Sequence, residues 1–160
     1  MRTVRDADGK TYLLRKESSE SALLYDPKSG TELYRPRSEL ELVSDESALT
    51  TAALAIPAPV RRILSATHND RSIGLLVTVV DRGPIAAVDL VAVSDLCESD
   101  LLGLLSEFRA AGLVDETHVA GTRGYEATPL AVDGVNTLRS IESDRGESTT
   151  DRSAGTTAEE

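Results

Sequence analysis

Aromatic side chains are scarce: Phe108 is the one phenylalanine, tyrosine occurs four times and tryptophan is absent. Any core must therefore be built from Leu, Val, Ile and Ala. Cysteine occurs once, at Cys97, which excludes an intrachain disulfide framework. The two histidines, His68 and His118, stand alone and form no cluster with metal-ligand spacing. Lysine is nearly missing as well, since 14 of the 17 basic residues are arginine. No stretch approaches the roughly 20 apolar residues of a membrane span. The opening MRTVRDADGK lacks the apolar core of a signal peptide. These absences predict a cytoplasmic protein with no membrane, metal or cofactor partner.

What is present is acid. Of 160 residues, 27 are Asp or Glu, for a net charge of −10. The balance is −1 over residues 1–45, +1 over 46–69, −6 over 70–141 and −4 over 142–160. The globular part therefore carries acid along with the tail. Low Lys, few aromatics and abundant Asp, Glu, Ala and Val occurring together suit a surface that stays hydrated in concentrated salt.

Residues 1–43 read as a small antiparallel β-meander. Thr3–Val4 runs into the Asp-Gly turn at Asp6–Gly9. Strands at Tyr12–Leu14, Ala22–Tyr25 and Thr31–Tyr34 come next, with Leu40–Val43 a fifth strand or a turn. Asp26-Pro27-Lys28-Ser29-Gly30 is a strong turn, Pro setting φ and Gly supplying a positive φ. About 43 residues make a poor independent core, so this part is expected to pack on the rest of the chain. Asp6-Ala7-Asp8-Gly9 opens like a calcium loop, but the later ligands are missing at the proper spacing.

Residues 44–57 are expected as a linker, 58–141 as the main domain with a leading helix, and 142–160 as a disordered acidic tail. Val60, Ile63, Leu64 and Thr67 mark one face of the leading helix. Asp70 can cap the next helix, with Ile73, Leu76, Val77 and Val80 inward and Gly83-Pro84 as its stop. Ile85-Ala86 is a short strand, Val88–Val91 a short helix and Ser94–Cys97 a turn. Glu98–Ala111 is amphipathic, with Leu101, Leu104, Leu105 and Phe108 inward and Gly112 beyond its end. Strands at Thr117–Ala120 and Tyr125–Thr128 flank a loop at Gly121–Gly124. Thr128-Pro129 starts a final helix with Ala131, Val135, Leu138 and Ile141 on one side.

Helix, short strand, short helix, turn, amphipathic helix, hairpin, helix is the winged helix-turn-helix order. Ala111-Gly112-Leu113-Val114 before the hairpin and Tyr125-Glu126-Ala127-Thr128-Pro129 after it strengthen the match. Residues 70–141 resemble archaeal and bacterial winged-helix regulators of the MarR and ArsR kind. The whole chain also resembles an uncharacterised winged-helix family of halophilic archaea. The resemblance implies an α+β protein: a winged helix-turn-helix domain preceded by the small β-meander. It also implies a DNA-binding transcriptional regulator, with Glu98–Ala111 as recognition helix and Gly121–Gly124 as wing tip.

At 100° per residue, Ser99, Gly103, Ser106 and Ala110 lie opposite the inward stripe of that helix, flanked by Leu102 and Glu107. The candidate DNA-contacting residues are Ser99, Leu102, Gly103, Ser106, Arg109 and Arg123, with Arg61, Arg62 and Arg71 as backbone contacts elsewhere. The central line has no Arg, Lys, Asn or Gln, the usual base readers. The same small face suits another protein element at least as well as DNA, so an interaction adaptor without DNA binding is the competing class. Arg123 in a Gly-flanked loop also reads as a solvated turn residue. A homodimer would use Val60–Thr67 and the final helix.

Enzyme chemistry finds no footing. There is no Gly-rich phosphate loop with Lys-Ser/Thr. Cys97 reads as a cap or packing residue before it reads as a redox thiol. His118 reads as a half-exposed strand residue, and Asp115-Glu116 as a solvated turn and not an acid/base pair.

Overall fold

The computed structural model describes residues 1–147. The chain forms two compact units, Met1–Ala58 and a second one from Pro59 onward. No helix among the described residues is long and apolar enough to cross a membrane.

In the first unit, β1 (Arg2–Arg5), β2 (Thr11–Glu17), β3 (Ser21–Asp26) and β4 (Thr31–Pro36) pair antiparallel in chain order. After a 3₁₀ turn at Arg37–Glu39, β5 (Glu41–Val43) returns to pair with the free edge of β1. The sheet order is therefore β4-β3-β2-β1-β5. Strand alternation puts Val4, Tyr12, Ala22 and Leu24 into one buried cluster with Leu40. The Asp6–Gly9 turn is built around one carboxylate. Asp6 Oδ1 accepts the backbone N–H of Asp8 (3.1 Å) and of Lys10 (2.9 Å), and Oδ2 accepts the Tyr12 hydroxyl (3.0 Å). These bonds use the side chain as a turn-forming cap.

The segment 44–57, expected as a linker, instead carries α1 (Ala48–Ala52) and a 3₁₀ turn at Ala53–Ala55. Ser47 caps α1 by accepting from the Leu49 N–H at 3.2 Å. Thr51 on α1 is fully buried, and its hydroxyl meets that of Thr3 on β1 at 2.8 Å. A buried hydroxyl needs such a partner, and the pair ties α1 to the sheet. The run of small residues hid this element, because Ala and Thr give no clear apolar period.

The second unit contains α2 (Ala58–Ala66), α3 (Asp70–Arg82), β6 (Ile85–Ala86), α4 (Ala87–Val93), α5 (Glu98–Ala110), β7 (Val114–Val119), β8 (Thr122–Ala127) and α6 (Pro129–Glu147). The three strands form a sheet in the order β6-β8-β7. This order of helices with a three-stranded sheet and a β7–β8 hairpin is the winged-helix arrangement. Leu76, Val79, Leu90, Leu101, Leu105, Phe108, Leu113, Val114, Tyr125 and Ala131 make a common core from every helix of the helix-turn-helix, the hairpin and α6. The single Phe and one of the four Tyr thus sit in this core.

Several details depart from the expected ones. Asn69, not Asp70, is the N-cap of α3: its side chain accepts from Ser72 N–H, and Ser72 Oγ in turn accepts from Asn69 N–H. The inward stripe is accordingly Ser72, Leu75, Leu76 and Val79, while Ile73 is largely exposed. On α2 the buried residues are Val60, Ile63 and Ala66, and Leu64 faces outward. Leu104 on α5 is only partly buried. α6 extends through Glu147, past the expected end near Ile141. The remainder of the expected tail, 148–160, lies outside the described residues.

Candidate nucleic-acid interface

α5 is held by its ends. Glu98 and Asp100 occupy its first turn, where they oppose the positive end of the helix dipole. At the other end Gly112 takes φ +72, and Leu113 N–H bonds back to Phe108 O at 2.8 Å while Gly112 N–H bonds to Arg109 O at 3.0 Å. That pair of bonds is a Schellman closure and sends the chain directly into β7. With Leu101, Leu105 and Phe108 buried, the helix has one outward face.

That face carries the residues singled out from the sequence. Ser99, Gly103, Ser106 and Ala110 are exposed, and Leu102 beside them is half-buried. A Cβ built on Gly103 would meet nothing within 4 Å. Ser99 Oγ lies 3.1 Å from Cys97 Sγ. Glu107 Oε2 on the flank lies 3.5 Å from His68 Nε2. The face is therefore small, open and without a base-reading cation on its central line.

The hairpin differs from expectation in a way that moves Arg123. Its turn is Ala120–Gly121, both with positive φ (50° and 80°), so it is a two-residue turn of the primed type. Thr122 already pairs with Val119, and Arg123 with His118. Gly121–Gly124 is thus not the wing tip. Gly124 is a strand residue, glycine because a Cβ there would lie 2.8 Å from both the Ile85 carbonyl and Val119 Cγ2. β6 approaches β8 that closely at the Ala86↔Gly124 pair.

Arg123 consequently sits on β8, its guanidinium 5.6 Å from the centroid of the buried Tyr125 ring. Its Nη2 donates to Glu116 Oε2 at 2.9 Å. The same oxygen is 3.1 Å from Nη1 of Arg109, at the end of α5. The hydrogen bond to Glu116 holds the Arg123 guanidinium above its ordinary pKa. Arg109 from the helix and Arg123 from the wing are therefore brought together by one carboxylate, on a residue expected to be a solvated turn position. All three side chains keep a third or more of their surface in solvent.

The remaining arginines are elsewhere. Arg71 is held by the carbonyl (3.0 Å) and carboxylate (3.5 Å) of Asp95. It borders an open groove of about 300 Å³ between α3 and the α4–α5 turn. Arg62 on α2 is exposed, and Arg61 Nε is covered with no hydrogen-bond partner among the described residues. Arg139 makes a two-bond pair with Asp81 (2.9 and 2.7 Å), tying α6 to α3. Of the elements expected at a homodimer interface, α2 leaves Leu64 exposed and α6 leaves Leu138 and Ile141 exposed.

The model of a protein family described as a family of unknown function (DUF7346) matches residues 1–139. The chain belongs to that family. The DUF7346 match takes in the five-stranded sheet as well as the winged-helix unit as far as Arg139 in α6. No curated protein matches this DUF7346 chain. Among solved structures it is similar to an ArsR-like transcriptional regulator from Rhodococcus sp. RHA1, with a TM-score of 0.42 and 20% identity, covering 62% of this chain and 96% of that one. It is also similar to the homodimeric winged helix-turn-helix DNA-binding domain of a Mycobacterium bovis protein, with a TM-score of 0.48 and 17% identity, covering 70% and 100%. A MarR-family transcriptional regulator from Rhodococcus sp. RHA1 gives 0.41 and 21%, covering 59% and 72%.

Proposed function

We propose that this chain is a DNA-binding transcriptional regulator that lays α5 against the major groove and grips the flanking backbone with Arg109 and Arg123. One observation carries the reading. The outward face of α5 is made of small side chains with open space above Gly103, and a helix arginine and a wing arginine stand together at its edge. A small face lets the helix backbone come close to base edges, and paired arginines match phosphate. With only Ser99 and Ser106 able to hydrogen-bond bases, affinity comes mainly from backbone contacts and sequence preference is modest. A homodimer across α2 and α6, covering Leu64, Leu138 and Ile141, accompanies this reading and would present two recognition helices to two half-sites. The acidic balance supports a cellular setting of concentrated salt.

The test is a duplex-binding titration with genomic fragments across a range of KCl. Arg123→Ala is expected to weaken binding to all sequences and make the log–log salt slope shallower by up to about one unit per protomer, as for one weakened phosphate contact. Gly103→Glu is expected to abolish binding while the melting temperature holds, since nothing packs on that position. If both variants bind duplex as the parent does, the working surface lies elsewhere. If Gly103→Glu loses a protein partner while no form binds duplex, the chain is an adaptor.

A further inference from the structure

The triad at the edge of α5 has an unusual economy: two arginines from different elements share one oxygen of one carboxylate. We propose that Glu116 is the chain's own stand-in for a DNA phosphate, occupying the place between Arg109 and Arg123 that a backbone phosphate takes on binding. This rests on the DNA-binding reading above and adds to it the residue that sets affinity.

The placement comes from the register. Glu116 on β7 is opposite Tyr125 and two residues from His118, which is opposite Arg123. Glu116, Tyr125, His118 and Arg123 thus share the face of the hairpin that continues outward from the core residue Val114. Arg109 reaches the same point from the last turn of α5. The guanidinium of Arg123 lies over a ring that is fixed in the core, so it keeps its position whether or not the carboxylate is there. Glu116 has no such backing. It is an exposed strand residue whose side chain can swing away and leave two half-exposed guanidinium groups facing solvent. Carboxylate and phosphate oxygens offer arginine the same charge-assisted bonds, so the two anions compete for one site. The carboxylate preorganises both arginines in the free protein and also repels the phosphate that must replace it. The second effect governs affinity, because the displaced carboxylate remains nearby.

Glu116→Gln removes the charge and keeps an acceptor of the same size. It is expected to tighten duplex binding about tenfold and to steepen the salt slope by up to one unit, since the site then meets phosphate with a full charge more. Glu126→Gln is the control: Glu126 is exposed on β8 opposite Asp115, on the other face of the same hairpin. It removes the same charge and is expected to change affinity little at about 1 M KCl, where the Debye length is about 3 Å. In an Arg109→Ala/Arg123→Ala background, Glu116→Gln should have no effect. Binding by Glu116→Gln that is equal to or weaker than the parent's, or a gain matched by Glu126→Gln, overturns the inference while the DNA reading stands on Arg123→Ala. Failure of parent and Glu116→Gln alike to bind duplex at any salt overturns both.

Discussion

Asp26 shows how a single side chain can hold two turns. It is nearly fully buried at the end of β3, accepts from Lys10 Nζ at 2.6 Å and caps its own turn by accepting Lys28 N–H at 3.0 Å. The hydrogen bond from Lys10 is the main reason its carboxyl lies below the ordinary value of 3.8. Asp6 and Glu17 in the same unit are lowered too, chiefly by the backbone N–H of Lys10 and by the Arg37 side chain respectively. A carboxyl whose folded pKa lies below its unfolded one stabilises the fold above the unfolded value. That stabilisation is lost as pH falls through the folded value. Asp26→Asn should therefore lower the melting temperature of the sheet unit by several degrees at neutral pH. The gap between variant and parent should narrow as pH drops below about 4. Circular dichroism melts of both forms across pH measure it; a gap that stays constant would mean the ionised carboxylate contributes nothing beyond its shape.

At the scale of elements, the wing turn holds an evident local misfit. Ala120 takes φ 50 in a two-residue turn whose first position favours Asn, Asp or Gly. A non-glycine residue there costs on the order of 1 kcal/mol, and the Asn side chain tolerates that region. Ala120→Asn, giving Asn-Gly, should stabilise the winged-helix unit by roughly 0.5–1 kcal/mol, read by chemical denaturation. No gain would mean that the turn is looser in solution than its dihedral angles imply. The same hairpin shows what sequence could and could not reveal. Gly121 and Gly124 look alike as turn residues, yet one is glycine for its φ and the other for the closeness of β6. The helix order of the second unit, the Leu101, Leu105 and Phe108 stripe of α5 and its small outward face were legible, because they depend on spacing alone. The stripe of α3 was misjudged because one of its buried positions is the polar Ser72, covered with its capping-box bonds to Asn69, which an apolar pattern passes over. Glu116 was not legible: Arg109 and Arg123 lie seven residues away on either side, and only the hairpin register and the Gly112 closure bring them to one oxygen.

For the whole molecule, charge sets folding and the proposed DNA binding against each other as salt changes. The chain carries −10 overall, and −6 of that falls between residues 70 and 141. At about 0.1 M salt the Debye length is about 10 Å, so exposed carboxylates across the winged-helix unit repel one another. At about 1 M it shrinks to about 3 Å, and only contact pairs such as Arg139–Asp81 still interact strongly. The melting temperature should therefore climb steeply from about 0.1 to about 2 M KCl. The proposed DNA contact would depend on salt with the opposite sign, because each phosphate neutralised releases counterions that bulk salt opposes. If one phosphate sits between Arg109 and Arg123 in each protomer of a proposed homodimer, two are neutralised, and log affinity should fall against log salt with a slope of about −2, shallow beside that of a basic regulator. A shallow slope is what a protein needs if it must fold in concentrated salt and still hold DNA there. Melting curves and anisotropy titrations on one preparation over one KCl series check both trends. A flat melting temperature would remove the salt-adapted surface, and a slope far steeper than −2 would mean that cations beyond this pair carry the binding.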